Sequence, residues 1–181
     1  MRSTKLLVRV KSQQVLGRRW YASRKDYKGA VSLFREMKKK NVNLDDRIYA
    51  TMIKLQVRGE RPNEVLSLIK ESVASGVVCD WKIFQQALGC LTDAGKMTGA
   101  DEILEAAKQV KLDGIKHLYD DIILAYARRE DIKSIRRLID EMQQSGIYVR
   151  PFCLKMLGEY EEQARIDSLE LEEKDNQEEK I

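Results

Sequence analysis

Four sets of side chains recur along this chain at intervals of 35 residues. Ala30, Val65, Ala100 and Ile135 form one set, Leu33, Leu68, Ile103 and Leu138 a second, and Phe34, Ile69, Leu104 and Ile139 a third; Tyr49, Phe84, Tyr119 and Leu154 form a fourth, in the other half of the unit. A fixed period of roughly 20–50 residues is the mark of a stacked repeat, in which no unit buries its own apolar face and each must lie against its neighbours. A chain with this pattern cannot be built around a single central core. Its functional residues belong on an extended surface.

Within each period the apolar residues have helical spacing. Ala30, Leu33, Phe34 and Met37 stand at i, i+3, i+4 and i+7, and Ile135, Leu138, Ile139 and Met142 repeat that pattern. Tyr49, Met52 and Ile53, then Tyr119, Ile122, Ile123 and Tyr126, give the other helix of the unit the same single stripe. Gly76 and Gly146 follow the second helix as C-terminal caps, Asn41 stands in their place one unit earlier, and Lys111 breaks the rule in the third. Gly59 to Pro62, Ala94 to Lys96 and Arg129 to Asp131 are the turns within the hairpins, with Asn63 and Asp131 as candidate N-caps. Two prolines and no strand-like alternation complete an all-α expectation: a right-handed α-α superhelix, or solenoid, of antiparallel helix hairpins with a 35-residue period.

The ends of the array are visible. One period upstream of Tyr49, Met52 and Ile53 lie Gln14, Gly17 and Arg18, so the first hairpin lacks a matching first helix. One period downstream of Ile135, Leu138 and Ile139 lie Glu170, Glu173 and Lys174, where the pattern fails again. A final helix from about Pro151 then caps the stack with a polar continuation.

Charge divides the chain in three. Residues 1–25 hold Arg2, Lys5, Arg9, Lys11, Arg18, Arg19, Arg24 and Lys25 with no acid, and apolar residues lie between the charges. An Arg-rich, acid-free leader reads as a mitochondrial presequence over residues 1–21, with Arg19 placed for processing between Tyr21 and Ala22; the plain alternative is a basic arm that touches nucleic acid. The repeat array occupies residues 22–163, and 164–181 form an acidic tail expected to be frayed or disordered. Although the whole chain of 181 residues carries +4, the stretch from Glu159 to Ile181 carries ten acids against Arg165, Lys174 and Lys180. No run reaches the roughly 18 apolar residues of a membrane span.

Catalytic constellations do not assemble. DAGKMTGA, from Asp93, contains a GK followed by Thr98, but lacks the first glycine and the preceding strand of a phosphate loop. His117 is the sole histidine, and Cys79, Cys90 and Cys153 have no metal-ligand spacing. Asp45/Asp46 and Asp120/Asp121 are adjacent in helix-start or surface positions and do not converge on a substrate. The expectation is a non-enzyme with no cofactor, metal or small-molecule substrate.

DYKGAVSLFREMKKKNVNLD, from Asp26, resembles the second helix and linker of a pentatricopeptide repeat, and ARREDIKSIRRLIDEMQQSGI, from Ala127, resembles its turn and second helix. The resemblance covers roughly Asp26 to Gly158; the tetratricopeptide repeat, of period 34, is the nearest relative in pattern. It implies binding of single-stranded RNA in an organelle, with the fifth and last residues of each repeat facing the base and the second packing against it. Here those pairs are Ala50 with Asp80, Gln85 with Ile115 and Asp120 with Arg150, and the second positions are Arg47, Lys82 and His117. Ala50 has no hydrogen-bonding group and Arg47 and Lys82 replace the usual apolar clasp, which argues against base-by-base readout.

A backbone-directed mode fits these residues better, since Arg47, Lys54 and Arg58 share one face of a helix and Lys82 is the equivalent of Arg47 one repeat on. Two functional classes follow. The first is a mitochondrial matrix protein associated with RNA, in transcript handling or translation, with the mitoribosome or another ribonucleoprotein as its setting. The second is a protein-binding scaffold in a mitochondrial complex, using the same surface without RNA.

Overall fold

A computed structural model describes residues 27–178, so the expected presequence and its Tyr21/Ala22 junction lie outside the described residues. All the regular structure among them is helical: α1 Tyr27–Lys39, α2 Asp46–Arg58, α3 Pro62–Ala74, α4 Trp81–Asp93, α5 Met97–Gln109, α6 Ile115–Ala127, α7 Ile132–Gln144 and α8 Pro151–Glu178. The second helices of the hairpins, α1, α3, α5 and α7, begin at Tyr27, Pro62, Met97 and Ile132, each 35 residues after the last. None of the described helices is long and apolar enough to cross a membrane.

One device ends the helices, and local chemistry explains it. Asn41, Gly76, Lys111 and Gly146 all take positive φ after the second helices, and Glu60, Gly95 and Glu130 do so after the first. Each is followed by a residue whose N–H reaches back five positions, as from Val42 to Met37, Val77 to Ser72, Leu112 to Ala107 and Ile147 to Met142. This is the Schellman closure, which satisfies carbonyls that the helix leaves without partners. Lys111 therefore adopts the left-handed conformation of its glycine counterparts although its side chain disfavours it. At the helix starts, Asp45, Asp80 and Asp131 accept hydrogen bonds from the N–H groups of Ile48, Lys82 and Ser134, at 3.0, 2.8 and 3.1 Å. Asp131 is the cap that the sequence suggested; α3 instead starts with Pro62 after an Arg61 that makes no side-chain cap, and Asn63 accepts from Lys96.

The chain divides into two compact units, Met1–Leu118 and Tyr119–Ile181, the division falling within α6. In the first, α2 packs on α3 and α4 on α5 as hairpins, while α2 also lies against α4 and α3 against α5. First helix on first and second on second is the stacking that the columns imply. Ile53, Ile69, Phe84, Leu88, Leu91 and Ile103 are buried in it. The second unit holds the rest of α6 with α7 and α8, around Ile122, Ile123, Leu138, Ile139 and Met142. There Leu154, the last member of the aromatic column, is exposed, and α8 runs on as helix through most of the acidic tail to Glu178.

Candidate nucleic-acid interface

On α2, Arg47, Lys54 and Arg58 sit seven and four residues apart, which at 3.6 residues per turn places them within a narrow arc of the helix. Arg47 and Arg58 are exposed and Lys54 half-buried, the opposite face being anchored by Ile48, Tyr49, Met52 and Ile53. Packing of α2 against α4 brings the next first helix alongside, and there Lys82 is exposed at the position equivalent to Arg47. The basic stripe does not continue down α4, since Gly89 and Asp93 stand where α2 has Lys54 and Arg58. A 450 Å³ cleft lined by Val57, Glu60, Gln86, Gly89, Cys90 and Asp93 opens at that end. Positive charge on this face is thus concentrated on α2 and the first turn of α4.

The first turn of α4 also holds an aromatic arrangement that the repeat columns did not reveal. The Trp81 indole stacks on the His117 imidazole, with centroids 4.6 Å apart and planes inclined by 23°. The ammonium of Lys82 lies 5.7 Å from the centroid of the same indole. Gly114 (φ +78°) lets the chain turn into α6 against that ring: a Cβ there would come 3.1 Å from Trp81 Cγ. His117, which the resemblance sets against a base, is half-buried and has one face against the indole. Trp81 left no signal in the periodicity because none of its equivalents, Asp46, Lys116 and Pro151, is aromatic.

Asp80 is an exposed N-cap whose carboxylate accepts from the Lys82 N–H, while Ala50 and Gln85 are half-buried. In the second unit Asp120 and Arg150 bind each other. Arg150 donates to Asp120 Oδ2 from both Nε, at 2.8 Å, and Nη2, at 2.5 Å. The carboxylate holds the guanidinium above its ordinary proton affinity, through the hydrogen bonds first and then their charges. Asp120 is only 4% exposed, and its Oδ1 is buried without a hydrogen-bond partner. The Arg150 side chain by contrast is 55% exposed.

These features define a helical-hairpin repeat protein with a basic first-helix surface in its first unit. More particularly, two stretches of the chain match the pentatricopeptide repeat: the PPR repeat pattern matches residues 19–42 and 118–147, the second match spanning most of α6, all of α7 and its C-terminal turn. No curated protein matches the chain.

Proposed function

We propose that this chain is an RNA-associated pentatricopeptide repeat protein of the mitochondrial matrix, holding single-stranded RNA by its sugar-phosphate backbone within a larger ribonucleoprotein, such as a mitoribosome or a transcript-handling complex. The observation that carries this reading is the alignment of Arg47, Lys54 and Arg58 on one face of α2, with Lys82 exposed on the adjoining α4. Basic groups in a row track a polyanionic backbone without reading its sequence. The acid-free leader supports the compartment, and the PPR repeats support the RNA. Engagement of Asp120 with Arg150 and of His117 with Trp81 supports backbone contact over a base-by-base code, because residues that would read or clasp bases already hold one another.

Four phosphate contacts give a log–log salt slope near −2.8 for a single strand, about a 50-fold loss of affinity between roughly 50 and 200 mM salt. Such binding suits a protein whose neighbours raise its effective concentration. A scaffold function without RNA is the second reading, favoured by those same internal contacts. Titration of the chain with labelled single-stranded RNA at low salt, together with RNase treatment of the native complex, separates the two. Binding and RNase-sensitive assembly support the RNA reading; no binding in either setting, with a complex that survives RNase, establishes the scaffold.

A further inference from the structure

An 840 Å³ cleft opens between α1 and α3 in the first unit, with Phe34, Met52 and Leu68 as its apolar floor. The sequence explains its presence. One unit on, Gly99 of α5 has no side chain, and a Cβ there would lie 3.5 Å from Leu66 of α3 and collide with Leu91 of α4, so those helices close tightly. Glu64 and Val31 hold the equivalent positions of α3 and α1 and line the cleft; the longer side chain keeps the two helices apart and the shorter one does not fill the gap. Arg35, Lys38, Lys39 and Arg61 stand around the floor against Glu36 and Glu64, an excess of positive charge. None of the basic residues of the α2 face lines it.

The second unit carries a complementary surface. α8 is fastened to its unit by the Tyr160 hydroxyl, which donates to the Ala127 carbonyl at 3.2 Å, and by the Arg136–Glu161 ion pair at 2.6 Å. From Glu162 to Leu169 every residue of the helix is exposed, Ile166 at 41% and Leu169 at 51%. Intervals of three, four and three residues put Glu159, Glu162, Ile166 and Leu169 on one face. A helical segment with no packed side draws most of its stability from whatever it docks on.

We infer that the chain associates head to tail: the α8 segment around Ile166 and Leu169 of one copy seats in the cleft between α1 and α3 of a second copy. The two aliphatic side chains meet Phe34, Met52 and Leu68, while Glu159 and Glu162 meet the cations of Arg35 and Lys39. An apolar stripe that bears acids and an apolar cleft rimmed by cations match in charge, and both occur on one chain, so a second copy is the occupant that satisfies both at once. Nucleic acid would bring phosphates to the rim but no aliphatic group to the floor. Two α8 segments facing each other would set acid against acid. The contact is heterologous, each copy giving one surface and taking the other, so association grows with concentration unless it closes on itself. It does not rest on the RNA reading and uses no residue of the basic face of α2 and α4.

Sedimentation equilibrium of the full chain, free of RNA, across roughly 1 μM to 1 mM covers the range of a small, transient contact. The average mass is expected to rise with concentration above the 21.0 kDa of one chain. Ile166→Ala with Leu169→Ala is expected to weaken association at least about tenfold, the order of magnitude for burying such a side chain. Arg35→Glu with Lys39→Glu is expected to weaken it several-fold, as is Glu159→Lys with Glu162→Lys. A chain carrying all four charge reversals is expected to return to within about threefold of the parent, because the pairs are restored with opposite sign. Every substituted side chain is exposed, and circular dichroism checks that helicity is kept. A chain that stays at the mass of one copy at every concentration overturns the proposal and leaves the cleft to a different protein. An association that the Ile166/Leu169 variant leaves within about twofold of the parent overturns it too, as does a fourfold charge variant that associates no better than its halves.

Discussion

The Tyr49 hydroxyl donates to the Glu71 carboxylate across 3.1 Å, joining α2 to α3 within one hairpin. Tyr119 and Glu141, each 70 residues farther on, repeat the bond at 2.9 Å between α6 and α7. In the hairpin between them Phe84 and Ala106 stand at the same positions, both buried, so hydroxyl and carboxylate are absent together. A buried hydroxyl without an acceptor is costly, whereas losing both partners is nearly neutral.

That pairing predicts a double-mutant cycle. Glu71→Ala is expected to destabilise the chain by about 1–2 kcal/mol, part of it from loss of the Lys38–Glu71 ion pair at 2.8 Å. Tyr49→Phe alone should cost about 1 kcal/mol, and adding it to Glu71→Ala should cost less than the sum. Urea melts of the four proteins measure the coupling. Strict additivity would mean that the bond contributes nothing.

The Schellman turns predict opposite effects for glycine exchanges. Lys111 has φ 49° and Gly76 φ 70° at equivalent positions. Lys111→Gly should raise stability by a few tenths to about 1 kcal/mol, by relieving left-handed strain, while Gly76→Ala should lower it by about 1 kcal/mol. Thermal melts that moved the same way for both would contradict the shared closure.

The Trp81–His117 stack gives a third prediction. Gly114→Ala places a methyl group 3.1 Å from Trp81 Cγ at a positive φ, so the indole that stacks on His117 must give by a few tenths of an ångström. Loss of about 1–2 kcal/mol is expected, with a change in indole fluorescence. Unchanged emission would show that the ring does not rest there.

Cys79 predicts an alkaline limit. Burial first, then the nearby Asp46 charge, pushes its thiol up from 9.0 to about 11. Because the folded state holds this proton more tightly than the unfolded chain, the stabilisation is complete below pH 9 and is lost as the pH rises through about 11. Cys79→Ala should be the less pH-sensitive protein across that window, by roughly 1–3 kcal/mol. Urea melts at intervals from pH 8 to 11 test the sign.

Periodic burial made the fold legible in the sequence. Ala30, Val65, Ala100 and Ile135 are all fully buried, because neighbouring hairpins impose the same packing on each unit. Helix closures were legible in position throughout, but their left-handed conformation was legible only where glycine supplied it and not at Lys111, Glu60 and Glu130. The candidate site was less legible, because it depends on contacts that no column records. Nothing in the spacing pairs Trp81 with His117, and the resemblance that set Asp120 beside Arg150 as base-facing residues carried no hint of their ion pair.

Salt dependence of RNA binding by the intact chain, compared with an Arg47→Gln/Lys54→Gln/Lys82→Gln variant, tests the central proposal most directly. The account predicts parental binding at low salt with a log–log slope of about −2.8 from the α2 and α4 contacts. The variant should bind more weakly, with a slope shallower by about 2 for three lost phosphate contacts. A variant that stays folded and keeps the parental affinity and slope would contradict it, as would a parent that leaves RNA unbound both alone and in its native complex.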